Sequence, residues 1–239
     1  MTQTHRQAGA FRIALEMIAL TVVAFVIAIL AGIVFIVPMI VLGYGIETTL
    51  VLVGGTAAGQ LGFLAVALGY LRFRDVPIRI AVPTRSDLGY IIGGTVIALA
   101  VALGLSYLLS VLEVLPDAVI EDIALVDPTF LLALAALSVI LVAPAEELLF
   151  RGVIQGRLRT RLGPVPAIAG ASLLFGAMHL ANYTGSVLPI IAGALLIAVV
   201  GSIFGIVYER TDNLSVPIAV HAIYNVLLLV ASYFAFVNM

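Results

Sequence analysis

Seven long apolar stretches, divided by short polar ones, run along the chain: Ile13–Val37, Thr48–Leu71, Asp87–Leu112, Pro128–Arg151, Pro164–Leu180, Val187–Tyr208 and Pro217–Val237. A helix that crosses the ~30 Å hydrocarbon core of a bilayer needs about 20 apolar residues. The fifth stretch is the shortest, and the others reach that length. Several open with helix-start chemistry: Ser86-Asp87 before the third, Asp127-Pro128 at the fourth, and Pro164 and Pro217 at the fifth and seventh. A proline at a first helical position loses no hydrogen bond, and a preceding Asp or Ser can cap free N–H groups. The pattern predicts an all-α polytopic membrane protein of about seven transmembrane helices, in one membrane domain spanning residues 1–239. The first stretch is too long for a signal-peptide core of about 7–15 residues, and no small-residue cleavage site follows it, so it is expected to be a retained span.

Composition agrees. Hydrophobic residues make up 63% of the chain and charged residues 10%, against about 25% charged in soluble domains. A water-soluble surface cannot be built from so few charges. The net charge of −2, with no basic cluster, argues against a nucleic-acid partner. Cysteine is absent, which excludes disulfides and thiolate metal sites.

All eleven basic residues are Arg, and their placement is ordered. Arg6 and Arg12 precede the first span. Arg72, Arg74, Arg79 and Arg85 lie between the second and third. Arg151, Arg157, Arg159 and Arg161 follow the fourth, and Arg210 lies between the sixth and seventh. With seven spans every Arg falls on one side, which the positive-inside rule makes the cytoplasm. The N-terminus is then inside and the C-terminus outside, in a multi-pass protein of the cell membrane. The loop Glu113–Asp127, with five acidic residues, becomes external. Gly-xxx-Gly pairs at Gly55/Gly59, Gly89/Gly93, Gly152/Gly156 and Gly201/Gly205 are expected to be helix-packing sites.

The chemistry is in the polar residues inside the spans. A charge there costs about 2.5–3.5 kcal/mol on insertion scales and is a functional candidate by default. The fourth span carries Glu146, Glu147 and Arg151, the fifth Phe175 and His179, and the seventh His221 and Asn225. Residues four apart share a helix face. Glu147 and Arg151 can therefore pair, His221 and Asn225 stand side by side, and Glu146 points away from the ion pair. Pro144 should kink the fourth helix just before the acidic pair. Glu146 lies 17 residues before Gly163 and His179 lies 16 after it. In a hairpin turning at Leu162-Gly163-Pro164 they sit at one level, about 24 Å from the turn at 1.5 Å per residue. His221 and Asn225 fall about 12–18 Å from the turn near Asp212-Asn213. All four are expected in one cavity, entered from the cytoplasmic half.

Three chemistries fit this set. A carboxylate can act as general base on water with His179 sharing the task, while His221 and Asn225 donate to a tetrahedral oxyanion. Glu146, His179 and His221 can instead bind Zn²⁺, although His-Glu-x-x-His is absent and no ligand pair shares a helix. The polar residues can also form an ion path in a transporter, against which stands the lack of repeat symmetry.

Glu-Glu-x-x-x-Arg (Glu146, Glu147, Arg151), Phe-x-x-x-His (Phe175, His179) and His-x-x-x-Asn (His221, Asn225), in that order, resemble the three motifs of the CAAX-protease and bacteriocin-processing family, also called the Abi family, of intramembrane glutamic endopeptidases. The stretches Phe150–Gly156 and Tyr208–Thr211 also look like that family. The resemblance covers residues 128–230, a protease core that follows variable spans in 1–127. It implies an active site inside the helix bundle, with Glu146 as general base, His179 as its partner, and His221 and Asn225 as the oxyanion site. Glu147, Arg151 and Phe175 are then supporting residues. No cofactor is expected, with zinc the alternative. The substrate is expected to be a peptide or a membrane-anchored or prenylated protein. The resemblance also implies a second possibility, a non-catalytic immunity or scaffold protein of the same fold.

Overall fold

A computed structural model describes residues 3–238, with side chains from residue 9 onward. Met1, Thr2, Met239 and the side chain of Arg6 lie outside the described residues. The long helices are α1 (Gln3–Val41), α2 (Thr49–Phe73) and α3 (Arg85–Val111), followed by a short strand β1 (Asp117–Ala118) and a short helix α4 (Val119–Val126). Then come α5 (Thr129–Arg159), α6 (Pro164–Met178), strand β2 (Tyr183–Thr184), α7 (Val187–Thr211) and α8 (Ser215–Val237). Seven of these helices are long and apolar enough to cross a membrane, and the protein is a multi-pass membrane protein. Their outward faces explain why water will not serve as solvent: Val34, Ile92 and Ile140 are 73%, 66% and 76% exposed. Bilayer hydrocarbon removes the cost of that exposure.

The helix starts differ in detail from the sequence expectation. Thr84, not Ser86, caps α3, and Asp87 closes a reciprocal capping box from inside the first turn. At the start of α5, Asp127 accepts from the Thr129 backbone N–H and hydroxyl (3.0 and 2.6 Å) and from the Thr49 hydroxyl at 2.5 Å. Hydrogen bonds from Thr129 and Thr49 hold the Asp127 carboxyl below the usual carboxylate range. This tie between α2 and α5 is therefore complete at neutral pH and weakens only on acidification.

Two features were not expected from the sequence. The acidic segment after α3 is not simply a loop: β1 pairs antiparallel with β2 (Asp117 with Thr184, Ala118 with Tyr183), and α4 follows at once. Ile120, Ile123 and the buried Ala124 turn inward against Phe130 and Leu131 of α5. The fourth span is also irregular. It holds two π-helical segments, Ser138–Val142 and Leu148–Gln155, on either side of Ala143–Glu147. Pro144, which has no N–H to donate, lies just after the first. Such π turns often mark functional sites, and here they bracket Glu146 and Glu147.

Alternation of the spans gathers the loops at two ends. The arginine end has the α2–α3, α5–α6 and α7–α8 connections. There the Asn213 side chain accepts from Ala81 N–H and donates to Ala81 O (3.0 and 3.1 Å), and Leu214 N–H donates to Arg79 O. The opposite end has the α1–α2 turn, the β1–α4 segment and the β2–α7 turn. Arg151 departs from the expected loop charges: it is fully buried in the bundle.

Three of the four Gly-xxx-Gly pairs sit at tight contacts, while Gly89 and Gly93 face open space. Gly176 outside those pairs is as demanding: a Cβ there would run into the Ala194 carbonyl oxygen and Ala198 of α7. The absence of a side chain lets α6 and α7 pack backbone to backbone.

Candidate active site

The central polar group is built on α5. Arg151 is fully buried and donates Nη1 to Glu147 Oε1 at 2.8 Å and Nη2 to the Gly201 carbonyl of α7 at 2.7 Å. Its guanidinium lies 4.5 Å from the Phe175 ring centroid and 5.3 Å from that of Phe204, close enough for cation–π attraction. One helical turn on, Gln155 donates to the Gly205 carbonyl at 3.1 Å. The spacing of four on α5 thus matches the spacing of four on α7. Gly201 is required for this approach, because a Cβ would stand 2.9 Å from Arg151 Nη2 and 2.8 Å from Phe175.

Glu147 Oε1 also meets His221 Nδ1 of α8 at 2.8 Å. A carboxylate only accepts, so His221 donates from Nδ1, which leaves Nε2 facing Glu146 Oε2 at 3.9 Å. The imidazole is held flat against Phe204, with centroids 4.8 Å apart and planes at 21°. Four residues along α8, Asn225 donates one amide N–H to the Ser138 hydroxyl at 3.1 Å. An amide carries two such donors, so a second is left for another acceptor. Ser138 stands in the first π segment of α5.

His179 ends α6 as its C-cap residue. Its Nδ1 lies 2.7 Å from the Phe175 carbonyl oxygen. A carbonyl accepts only, so Nδ1 carries the hydrogen and the neutral ring keeps its lone pair on Nε2. Phe175, buried beneath this ring, also touches Phe150 and His221 edge to face.

Glu146 turns away from the ion pair, as the helical spacing predicts. Its Oε1 accepts from Gln60 Nε2 of α2 at 2.7 Å. Gln60 is 8% exposed, and its own Oε1 has no partner among the described residues. Gln60 is uncharged and comes from a span without charged residues, so nothing in the sequence pattern singles it out. Ser138 and Gln155 lie in the fourth span near charged residues but are themselves uncharged. Gln60→Leu, which keeps a similar bulk and removes the donor, is expected to lower any Glu146-dependent turnover by roughly 10-fold or more. A hydrogen bond to a charged group contributes about 1.5–3 kcal/mol. Turnover within twofold of wild type would remove Gln60 from the site.

Glu146, His179, His221 and Asn225 line one cavity of about 630 Å³, within the usual range for ligand sites. Glu147 and Arg151 are not in its wall but behind it. One expectation fails. The cavity does not run towards the arginine end. From Glu146 it extends past Val142, Ser138 and Leu134 to Phe130, and its far wall includes Ile120 and Ile123 of α4. On the arginine side Leu149, Val153, Ile154 and Leu214 are fully buried, and a separate cavity of about 380 Å³ lies against Leu68, Leu71, Ile78 and Leu148.

The alternative zinc set can be tested on these positions. His221 Nδ1 is held by Glu147, and its Nε2 lies 3.9 Å from Glu146 Oε2. Among the described residues no group of three or more His, Cys, Asp or Glu side chains stands close enough together to hold a metal ion without a shift of side chains.

Part of the chain is similar to known proteins. Residues 128–227 match the family described as type II CAAX prenyl endopeptidase Rce1-like. That range contains Glu146, His179, His221 and Asn225 but not Gln60. A Bacillus subtilis (strain 168) protein, "Uncharacterized protein YpbD", is 38% identical over 84 residues, covering 35% of this chain and 38% of that protein. The match thus spans well under half of that relative's length. No solved structure matches. Residues 128–227 are thus similar to the type II CAAX prenyl endopeptidase Rce1-like family, within a chain of seven helices long and apolar enough to cross a membrane.

Proposed function

We propose that the protein is a metal-independent intramembrane endopeptidase that hydrolyses a peptide bond with a water activated by Glu146 and His179. The observation that carries this is the convergence of Glu146, His179, His221 and Asn225, from three helices, on one largely apolar cavity. Glu146 Oε1 is occupied by Gln60, so Oε2 is the atom that takes a proton from water. His179 Nε2, fixed as an acceptor by the Phe175 carbonyl, orients the same water. The hydroxide adds to the carbonyl carbon, and the C=O electron pair moves onto oxygen. The second amide N–H of Asn225 donates to that oxyanion, and so does His221 Nε2–H, whose hydrogen the ring carries from the start of the cycle and keeps to its end. The Glu147 carboxylate balances the imidazolium. When the C–N bond breaks, the proton held by Glu146 passes to the leaving amine. Every proton is accounted for without a covalent intermediate or a metal.

The substrate of this reading is a peptide or the tail of a membrane-associated protein, prenylated or not. The experiment is cleavage of a peptide library by the purified protein in liposomes, with and without a strong chelator. Cleavage that survives chelation is expected. Cleavage abolished by the chelator and restored by zinc would replace this mechanism with a metal-dependent one. No cleavage of any peptide, together with saturable peptide binding, would favour a non-catalytic immunity or scaffold protein.

A further inference from the structure

The separate cavity at the arginine end lies between the C-terminal turns of α2, the segment 74–80 and α5. It measures about 380 Å³, and its apolar walls are Leu68, Leu71, Val76, Ile78, Ile80 and Leu148. That volume is within the usual range for ligand sites. The floor is firm. Val76 and Leu148 are each 9% exposed, and the segment packs flat on α5 over two glycines. A Cβ at Gly152 would stand 2.9 Å from Ile78 Cδ1, and one at Gly156 would stand 3.0 Å from Val76 Cγ1. The outer side is open. Leu68 and Ile80 on the rim are 53% and 65% exposed, and α2 is long and apolar enough to cross the membrane, so this crevice faces lipid.

The charged part of its wall is Arg74 and Asp75. The Arg74 side chain is half exposed, and its Nε lies 3.6 Å from Glu16 of α1. That carboxylate is shared: it also accepts from the Tyr70 hydroxyl at 2.8 Å and meets Arg157 of α5 at 3.5 Å. Around the mouth, Arg72, Arg74, Arg79 and Arg157 thus stand against Glu16 and Asp75, which leaves an excess of positive charge. A guanidinium offers phosphate oxygens two parallel N–H donors, and basic pockets between membrane helices hold anionic headgroups. We infer that this crevice binds one anionic phospholipid, with its phosphate on the Arg74 guanidinium and an acyl chain along Leu68, Leu71 and Leu148. Free phosphate would leave the apolar walls empty. A neutral lipid would leave the surplus charge unanswered. The bound chain rests on the back of the helix that carries the polar cluster, since Leu148 follows Glu147 and Gly152 follows Arg151. This inference uses no peptidase chemistry and stands or falls apart from that reading.

The chain has no Trp, so a single introduced Trp reports on one place. Leu68→Trp puts that probe on the crevice rim. Ile92→Trp puts it on the outward face of α3, where Ile92 is 66% exposed. The purified full chain is reconstituted in mixtures of phosphatidylcholine and phosphatidylglycerol, one of the two brominated on its acyl chains so that it quenches Trp on contact. Leu68→Trp should prefer phosphatidylglycerol by roughly fivefold or more, about what one basic side chain near anionic lipid is worth, and Ile92→Trp by less than about twofold. Adding Arg74→Gln should bring the Leu68→Trp preference below about twofold as well. Arg159→Gln removes an equal charge at the same end, from a residue paired with Glu209 at 2.7 Å, and should leave the preference unchanged. Equal preference at both Trp positions overturns the inference. So does a fall with Arg159→Gln as large as with Arg74→Gln, because the chain then attracts anionic lipid only through diffuse charge. Displacement of the lipid by excess inorganic phosphate overturns it in favour of a free anion. Native mass spectrometry of the unmutated chain needs no Trp: one phosphatidylglycerol should stay bound where phosphatidylcholine does not, and retention of neither, or of both alike, overturns the site.

Discussion

Glu146→Gln should reduce peptide hydrolysis to about 1% of wild type or less, while the protein inserts and accumulates normally. The substitution keeps the shape of the side chain and one acceptor oxygen, so the hydrogen bond from Gln60 at 2.7 Å can persist. What it removes is the second carboxylate oxygen, the only atom of that side chain free to take a proton. The amide nitrogen that replaces it has no lone pair to offer. Losing a general base is worth roughly 10²–10⁴ in rate. Glu146 makes no ion pair with Arg151, and its approach to His221 is long at 3.9 Å, so little stability depends on its charge. The measurement is single-turnover cleavage in liposomes, with cysteine labelling at Thr56→Cys, in the cavity wall, as the check that the cavity is intact. Residual activity above about 10% would move the base to His179 alone. Unchanged activity would end the glutamate mechanism.

The spans and the polar set were legible in the sequence for a simple reason. Hydrophobic length is a one-dimensional signal, and a charge inside such a length costs too much to pass unnoticed. The spacing of four likewise gave the Glu147–Arg151 pair, which closes at 2.8 Å. What stayed hidden crosses between helices or carries no charge. The shared Oε1 of Glu147, which binds Arg151 and His221 at once, joins α5 to α8 and has no spacing signature. Gln60 is polar but neutral, and it comes from a span that carries no motif. The π segments leave no trace in composition beyond Pro144. Helix α4 was concealed because eight residues with two acidic groups in the first turn read as an exposed loop. Counting residues from the turns put Glu146 and His179 at one level, but a level does not say towards which end of a bundle the cavity runs. That depends on side-chain volume at positions such as Leu149 and Leu214, and on where Ile120 and Ile123 fold back, and neither is visible before the helices are packed.

Arg151→Met should destabilise the fold more than any single change in the cavity wall. The guanidinium is fully buried, and it joins three elements through Glu147, the Gly201 carbonyl and the faces of Phe175 and Phe204. Its removal leaves a buried Glu147 carboxylate with His221 as its one hydrogen-bond partner, and strips the Gly201 carbonyl of its donor. Breaking a buried pair from one side costs about 3–5 kcal/mol, whereas replacing both members by groups of similar volume is often close to neutral. The Glu147→Gln, Arg151→Met double variant should therefore be clearly more stable than the sum of the two single losses. Arg151→Lys should not rescue, because one ammonium cannot reproduce the planar fork that reaches Glu147 and Gly201 together. Denaturant unfolding in detergent micelles across this cycle gives the coupling energy directly. If the single losses simply add, Arg151 is held by packing and not by its charge. If instead the double variant recovers stability but stays inactive, the pair is separated into its two roles. Arg151 then serves to hold Glu147 in place, and Glu147 serves to fix the ring of His221 that faces the cavity.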